Sequence, residues 1–484
     1  MAEQRTTSGI PGLDEILEGG LIPRRSYLLV GAAGSGKTVF SFQWLMEGRR
    51  HQERLLYITL TEPADEIERN MATLGWTTAG MDLLDLTPTD PTGENNGEYH
   101  VFSPSEVEQT TTWQAIYQAV KEKRPQRLVI DSVTQLRYLS TDEYQFRKKI
   151  QGLVGFLNRS GCTSMLSFES SELERETAVS LAVDGLIRLR SEVSPSRVIG
   201  LRSVQVEKFR GSDFISGLHP LRITGQGIHI FPHRIEKIGG THAPEEMLSS
   251  SIPALDELLG GGIESGTTTI ISGPSGVGKT TLGMEFLASA IAGGQRAIAF
   301  TFEEGVESIL LRSSGVGVPL EPLLQAGMLR IVRLNPMEQY PDELLGMVRA
   351  AVEGGGVGVV MIDSLRGYQL EMEQFGTPLA HVSNLVHYLE RQGVTSFLIN
   401  EIEHITGSLM ATELGVSHLA DNILLLRYAE YAGQVIKVVA CLKKRLGDFQ
   451  PALCEFKITA QGIQVGGQIK NLRGVLTGIP EYAG

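Results

Sequence analysis

Two stretches of this chain, GAAGSGKT at residues 31–38 and GPSGVGKT at 273–280, have the spacing that cradles a polyphosphate. Both fit G-x-x-x-x-G-K-[ST], and each lies between an apolar strand pattern and a helical one, the context that gives this motif its meaning. Gly31, Gly34, Ser35 and Gly36 in the first, and Gly273, Ser275, Gly276, Val277, Gly278 and Thr281 in and beside the second, are expected to bind ATP. Glycines let backbone N–H groups turn inward around phosphates, and the following helix N-terminus adds a favourable field. Lys37 and Lys279 would neutralise the β- and γ-phosphates, and the Thr38 and Thr280 hydroxyls would bind Mg²⁺. Asp131 and Asp363 end apolar runs (LVID and VMID), where a carboxylate reaches the same metal; the alternative is an Asp that caps a following helix.

Three more acids are candidates for catalysis: Glu62 in TLTEP, and Glu303 and Glu304 in TFEEG. A carboxylate at a strand end beside the γ-phosphate can orient or deprotonate an attacking water or hydroxyl; a solvated turn acid is the plainer alternative. The first copy has Thr61 where the second has Glu303, one acid against two. Lys208 and Arg210, and Lys443 and Arg445, recur at matching places and share a strand face at i and i+2. Paired cations on one edge suit a neighbour's phosphates, supplied in trans; a basic edge that discourages aggregation is the alternative.

The elements that must hold these groups occur twice. IPGLDEILEGG at residue 10 and IPALDELLGGG at residue 252 align without a gap, as do Lys37 and Lys279, at an offset of 242 (279 − 37). Asp131 and Asp363 repeat at an offset of 232 (363 − 131), a difference in loop length. A repeat this long means two homologous domains, expected at 1–238 and 239–484, with a Pro-, Gly- and Ser-containing linker near 232–250. Within the first copy, strands are expected at 27–30, 55–60, 128–130, 163–168 and 185–189, and helices at 38–48, 64–74, 113–121 and 144–158. Added antiparallel strands are expected at 198–209 and 227–231, and a polar loop at 87–105. This alternation predicts an α/β fold: two tandem RecA-like P-loop domains, each a mostly parallel sheet flanked by helices.

Composition agrees. Apolar residues make up 42% and charged residues 20% of 484, a globular balance. A net charge of −13 argues against a general nucleic-acid binder. The three cysteines lack paired spacing and read as buried small hydrophobes in a reducing compartment. No apolar signal or spanning stretch is present in the sequence, so a cytoplasmic location without membrane attachment is expected.

With these motifs in hand, the chain resembles the KaiC family, double-domain relatives of RecA and RadA. The resemblance rests on SGIPGLDEILEGG, VIDSVT, VEKFRGSDFISGLHPLRITGQGIHIFP at 206–232, SSIPALDELLGGG, TFEEG, MIDSL and GVSHLADNILLLRY at 415–428. It implies a homohexameric double ring with ATP at subunit interfaces, slow hydrolysis in the N-terminal ring and autokinase activity in the C-terminal ring. It also implies that Glu303 activates the acceptor hydroxyl and that Lys208, Arg210, Lys443 and Arg445 are interface cations. Ser417 matches the acceptor serine; His418 stands where the family has the adjoining acceptor threonine, and Thr412 matches a nearby threonine. Otherwise Ser417 is an ordinary helix-start serine. A KaiB-like or other signalling protein is the kind of partner implied. The chain ends at LRGVLTGIPEYAG, where clock members carry a longer tail, so KaiA-type tail binding is expected to be absent.

The leading reading is therefore an ATPase and serine autokinase serving as a regulatory or timing switch. Two others remain: a recombinase-type DNA-dependent ATPase, and a signalling scaffold assembled by ATP. The first would want basic DNA loops, whereas 87–105 carries Asp90, Glu94 and Glu98 and no Lys or Arg.

Overall fold

Strand β1 (Ser26–Gly31) is buried along its whole length. Tyr27 and Leu29 pack into one apolar layer with Phe40, Trp44 and Met165, and Leu28 and Val30 into the opposite layer with Leu128, Ile150 and Leu166. Both faces are covered, so the run reads as continuously apolar rather than alternating. Each such side chain stabilises the sheet by roughly 1.5–3 kcal/mol.

In the computed structural model, the described residues are 5–87, 104–140, 142–169, 177–193, 200–234, 246–335, 340–372, 378–402, 415–431, 433–470, 472–473 and 481–482. The chain divides into two compact units, Met1–Arg234 and Ile235–Gly484. In the first, β1 is joined by β2 (Leu55–Thr59), β3 (Asp82–Asp85), β4 (Arg127–Asp131), β5 (Thr163–Glu169), β6 (Gly185–Val193), β7 (Gly200–Phe209), β8 (His219–Thr224) and β9 (Gly227–Ile230). Their order is β3-β2-β4-β5-β1-β6-β7-β8-β9. The segment from β3 to β6 is parallel, and β7 to β9 add antiparallel strands.

The second unit begins with a small ladder, β10 (Met247–Leu248) on β11 (Ile263–Glu264). It then repeats the sheet with β12 (Thr268–Gly273), β13 (Arg296–Thr301), β14 (Leu329–Arg333), β15 (Val357–Asp363), β16 (Thr395–Glu401), β17 (Asn422–Tyr431), β18 (Gln434–Lys444), β19 (Cys454–Thr459) and β20 (Gly462–Gln468). The order β14-β13-β15-β16-β12-β17-β18-β19-β20 matches the first sheet strand for strand. The α/β class and the paired mostly parallel sheets are those expected.

Several elements differ from expectation. The helix expected at 113–121 runs Pro104–Lys123, and β3 and β8 were not foreseen. Most of the expected 87–105 loop and part of the 232–250 linker lie outside the described residues. All three cysteines are buried; burial pushes the Cys162 thiol up to about 12 and Cys441 to about 11. No helix among the described residues is long and apolar enough to cross a membrane.

Candidate nucleotide sites

Each P-loop bridges the C-terminal end of a central strand and a helix, Lys37–Arg50 in the first unit and Lys279–Ala292 in the second. Ligands bind open α/β sheets at this end. The residues capping the two helices, Gly36 and Gly278, have φ of 102° and 118°. A Cβ at Gly36 would stand 2.6 Å from Ile223 Cδ1, and one at Gly278 would strike Ile458. The left-handed dihedral favours glycine at both places, and a Cβ would also displace the isoleucine tips. Gly34 and Gly276 also have positive φ, 75° and 74°. Ser35 and Val277 occupy the same place in the two loops and are both buried. Their side chains point into the protein, leaving their backbone groups for a phosphate. Thr281 is buried too, and Ser275 is exposed.

The lysines fold back over the loops. Lys37 Nζ donates to the carbonyls of Gly31 at 2.8 Å and Ala32 at 3.0 Å. Lys279 Nζ donates to Pro274 O at 2.8 Å. Burial lowers both ammonium pKa values, and Asp131 and Glu169, or Glu401, Asp363 and Glu303, oppose it.

The residue pairs expected to hold a metal converge. Thr38 Oγ1 donates to Asp131 Oδ2 at 3.1 Å, and Thr280 Oγ1 to Asp363 Oδ2 at 2.6 Å. A hydroxyl and a carboxylate at the phosphate end of a strand are the donor set that Mg²⁺ accepts, so both sites fit the ion. The carboxylates are held differently. Asp131 also accepts from Tyr57 Oη at 2.6 Å and from Ser167 Oγ. The matching positions in the second unit are Ala299 and Ile399, and Asp363 has only Thr280 among the described residues. Burial raises Asp363 to about 6 against the lowering effects of the Thr280 hydroxyl and Lys279. Tyr57 and Ser167 were not anticipated; a lone Tyr and Ser inside apolar strands carry no spacing signal.

The candidate catalytic acids also separate. Glu304 accepts from Ser308 Oγ at 2.8 Å and pairs with Arg312 at 2.6 Å. Among the described residues, Glu303 accepts only the Ser364 hydroxyl, at 3.1 Å. Thr61 fills the place of Glu303 in the first unit, its hydroxyl accepting from the Ser132 N–H at 3.3 Å. Glu62 accepts from Asn70; burial and the nearby Glu66 charge raise its pKa.

The paired cations lie at the other end of each sheet. Leu186 pairs with Lys208 next to the Gly185–Tyr27 pair, at the start of β1. Lys208 Nζ donates to the Ser180 and Val183 carbonyls, both at 2.7 Å, and Arg210 Nη2 to Leu181 O at 3.2 Å. In the second unit, Ile423 pairs with both Lys443 and Ile270, again near a strand start. Lys443 Nζ donates to Ser417 O at 3.1 Å and Ala420 O at 2.5 Å. Arg445 donates to His418 O at 3.1 Å and pairs with Asp421 at 3.0 Å. A six-residue strand spans about 20 Å. These cations are therefore far from the phosphate loop of their own unit.

Ser417 sits at this same far end, half-buried in a 3₁₀ turn, Val416–His418. The residues after it form β17 rather than a helix, so it is not a helix-start serine. Ser180 occupies the matching place in the first unit, its carbonyl held by Lys208 as Ser417's is by Lys443. Thr412 lies outside the described residues.

With the geometry in place, comparison with known proteins gives the family. The model for the KaiC ATPase matches residues 6–235 and again 248–470. The chain belongs to the KaiC ATPase family. It is 28% identical to "Circadian clock oscillator protein KaiC" of Parasynechococcus marenigrum, covering 99% of this chain and 94% of that one. It is 26% identical to "Circadian clock protein KaiC3" of Synechocystis sp., covering 99% and 95%. The KaiC of Acaryochloris marina is 27% identical, covering 97% and 90%.

Proposed function

We propose that this KaiC-family ATPase is a nucleotide-driven regulatory or timing switch: a homohexameric double ring that binds Mg-ATP between subunits and transfers phosphate to Ser417 across the C-terminal interface. The observation that carries this reading is the separation of parts within each unit. Lys279, Thr280, Asp363 and Glu303 gather at one end of the second sheet, whereas Ser417, Lys443 and Arg445 gather at the other. A serine about 20 Å from its own P-loop meets a γ-phosphate only if a neighbouring subunit presents one. The cations beside it then face the same phosphate, as donors in trans.

In this mechanism, Mg-ATP is held by the P-loop N–H groups, Lys279, Thr280 and Asp363. The neighbour's Ser417 hydroxyl attacks the γ-phosphorus in line, Glu303 takes its proton, and the β–γ bridging oxygen leaves with ADP. In the first unit, Glu62 orients water for hydrolysis, with Lys37, Thr38 and Asp131 holding Mg-ATP and Lys208 and Arg210 acting from the neighbour. A KaiB-like signalling protein is the expected reader of the switch, as the relatives' names support a clock role. The test is the intact mass of the full chain after incubation with Mg-ATP, with added phosphate mapped by peptide. Phosphate on Ser417 is the expected result. No phosphate while ATP is consumed would leave an ATPase without the kinase; phosphate on Thr412 would move the acceptor.

A further inference from the structure

Opposite the P-loop, at the N-terminal ends of β1, β2, β4 and β5, the first unit has a cleft of about 860 Å³. Five basic side chains line it, Arg5, Arg24, His51, Arg54 and Arg127, with Glu53 as the one carboxylate. Glu53 is taken by Arg127, whose side chain is 1% exposed. Arg127 Nη1 also donates to Trp44 O at 2.8 Å and Thr7 O at 3.1 Å, while Nη2 has no partner. Arg5 is tied to Gly20 O and Ser212 Oγ. Among the described residues, Arg54 uses only Nε, on Arg124 O at 2.8 Å. Among the described residues, the Arg24 guanidinium has no hydrogen bond or ion pair. Arg127 is enclosed against Trp44, so the cleft's surplus positive charge is presented by the open guanidinium nitrogens of Arg24 and Arg54.

The second unit serves as an internal control. At the repeat offsets, Met247 replaces Arg5, Gly266 replaces Arg24, Gly293 replaces His51 and Val359 replaces Arg127; only Arg296 keeps the charge of Arg54. The same fold needs one arginine here, and the first unit has four, with His51 beside them. It keeps Arg24 at a cost in backbone energy. Arg24 has φ of 61° and Arg124, whose carbonyl anchors Arg54, has φ of 46°; their counterparts Gly266 and Gly356 have 77° and 62°. Left-handed backbone is unfavourable for any residue with a Cβ, and such outliers cluster where function requires them.

We propose that this cleft is a second anion site of the first unit, taking a small ligand with phosphate or carboxylate groups. Planar guanidinium forks pair bidentately with both oxyanions, and the volume is that of a small-molecule site. The cleft is separate from the P-loop of its own unit, which lies at the other end of the sheet.

The test titrates the full chain, its P-loops saturated with a non-hydrolysable ATP analogue and magnesium in excess, with inorganic pyrophosphate and, separately, succinate. Saturable binding of either probe is expected, weakened at least tenfold by Arg24→Gly with Arg54→Gln. Binding of pyrophosphate alone identifies a phosphate ligand, and of succinate alone a carboxylate. Arg24→Gly matches what the second unit carries and relieves the backbone, so the variant keeps its fold. Arg69→Gln, an exposed charge loss elsewhere, should leave affinity within twofold. Binding of neither probe, or equal binding by the double variant, overturns the proposal.

Discussion

Replacing Glu303 by Gln and, separately, Glu304 by Gln should have very unequal effects, although the two acids are adjacent. A general base needs an ionised carboxylate with a free lone pair facing the proton it takes. Glu304 is occupied by Arg312 at 2.6 Å and Ser308 at 2.8 Å. Among the described residues, Glu303 has one bond, from Ser364 at 3.1 Å. Loss of a general base slows transfer by about 10²–10⁴-fold, or roughly 3–5 kcal/mol of barrier. Glu304→Gln removes instead an ion pair with side chains 37% and 25% exposed. That is worth only ~0.5–1 kcal/mol of stability after solvent screening, and the rate should stay within about fivefold. The assay is single-turnover ADP formation together with Ser417 phosphate, in a Glu62→Gln background that silences hydrolysis in the first site while nucleotide stays bound there. Binding of a fluorescent ATP analogue verifies occupancy in each variant. Equal losses, or a larger loss for Glu304→Gln, would refute the assignment.

Tyr57→Phe removes a 2.6 Å hydroxyl bond to Asp131. A hydrogen bond to a charged group is worth ~1.5–3 kcal/mol, so the Mg²⁺ concentration for half-maximal turnover should rise about tenfold or more when measured in a Lys279→Ala background; an unchanged value contradicts the role. Arg127→Val strands Glu53 and should destabilise the first unit by roughly 3–5 kcal/mol in chemical denaturation. Adding Glu53→Gln should recover much of it, because the second unit folds with Val359 and Gln295 at these places. Lys208→Ala should weaken ATP-dependent assembly, read by light scattering, while leaving Lys37-dependent nucleotide binding to the isolated subunit intact. Ser180 should stay unphosphorylated under conditions that label Ser417, because Thr61 replaces the base Glu303 on that ring; label on Ser180 would argue against Glu303 as the base.

The P-loops and their strands were legible because both signals are local. Glycine spacing fixes the loop, and SYLLVG is apolar at alternate positions for both faces at once. Strand β3 was missed because DLLD is four residues long, with an acid at each end. Strand β8 was missed because its second residue is Pro220, which argues against a strand anywhere but an edge. Tyr57 and Ser167 meet Asp131 only through strand register, which the linear sequence does not state. The pairing of Glu304 was readable in principle: Ser308 and Arg312 lie four apart on the helix Val306–Gly315, and Glu304 just precedes its cap, four residues before Ser308. The distance between Ser417 and its own P-loop needed the topology, since both lie beside the same pair of strands and differ only in which end they occupy.

The central claim, transfer between subunits, is tested most directly by mixing two inactive variants. Ser417→Ala keeps the nucleotide site and lacks the acceptor; Lys279→Ala keeps the acceptor and lacks the site. Neither alone should gain phosphate on Ser417 in Mg-ATP. Co-assembled, they should place phosphate on Ser417 of the Lys279→Ala chain, identified by the mass difference between the variants. Label on Ser417 of the wild type with none in the mixed rings would contradict transfer in trans, and no label on wild-type Ser417 would contradict the kinase reading itself.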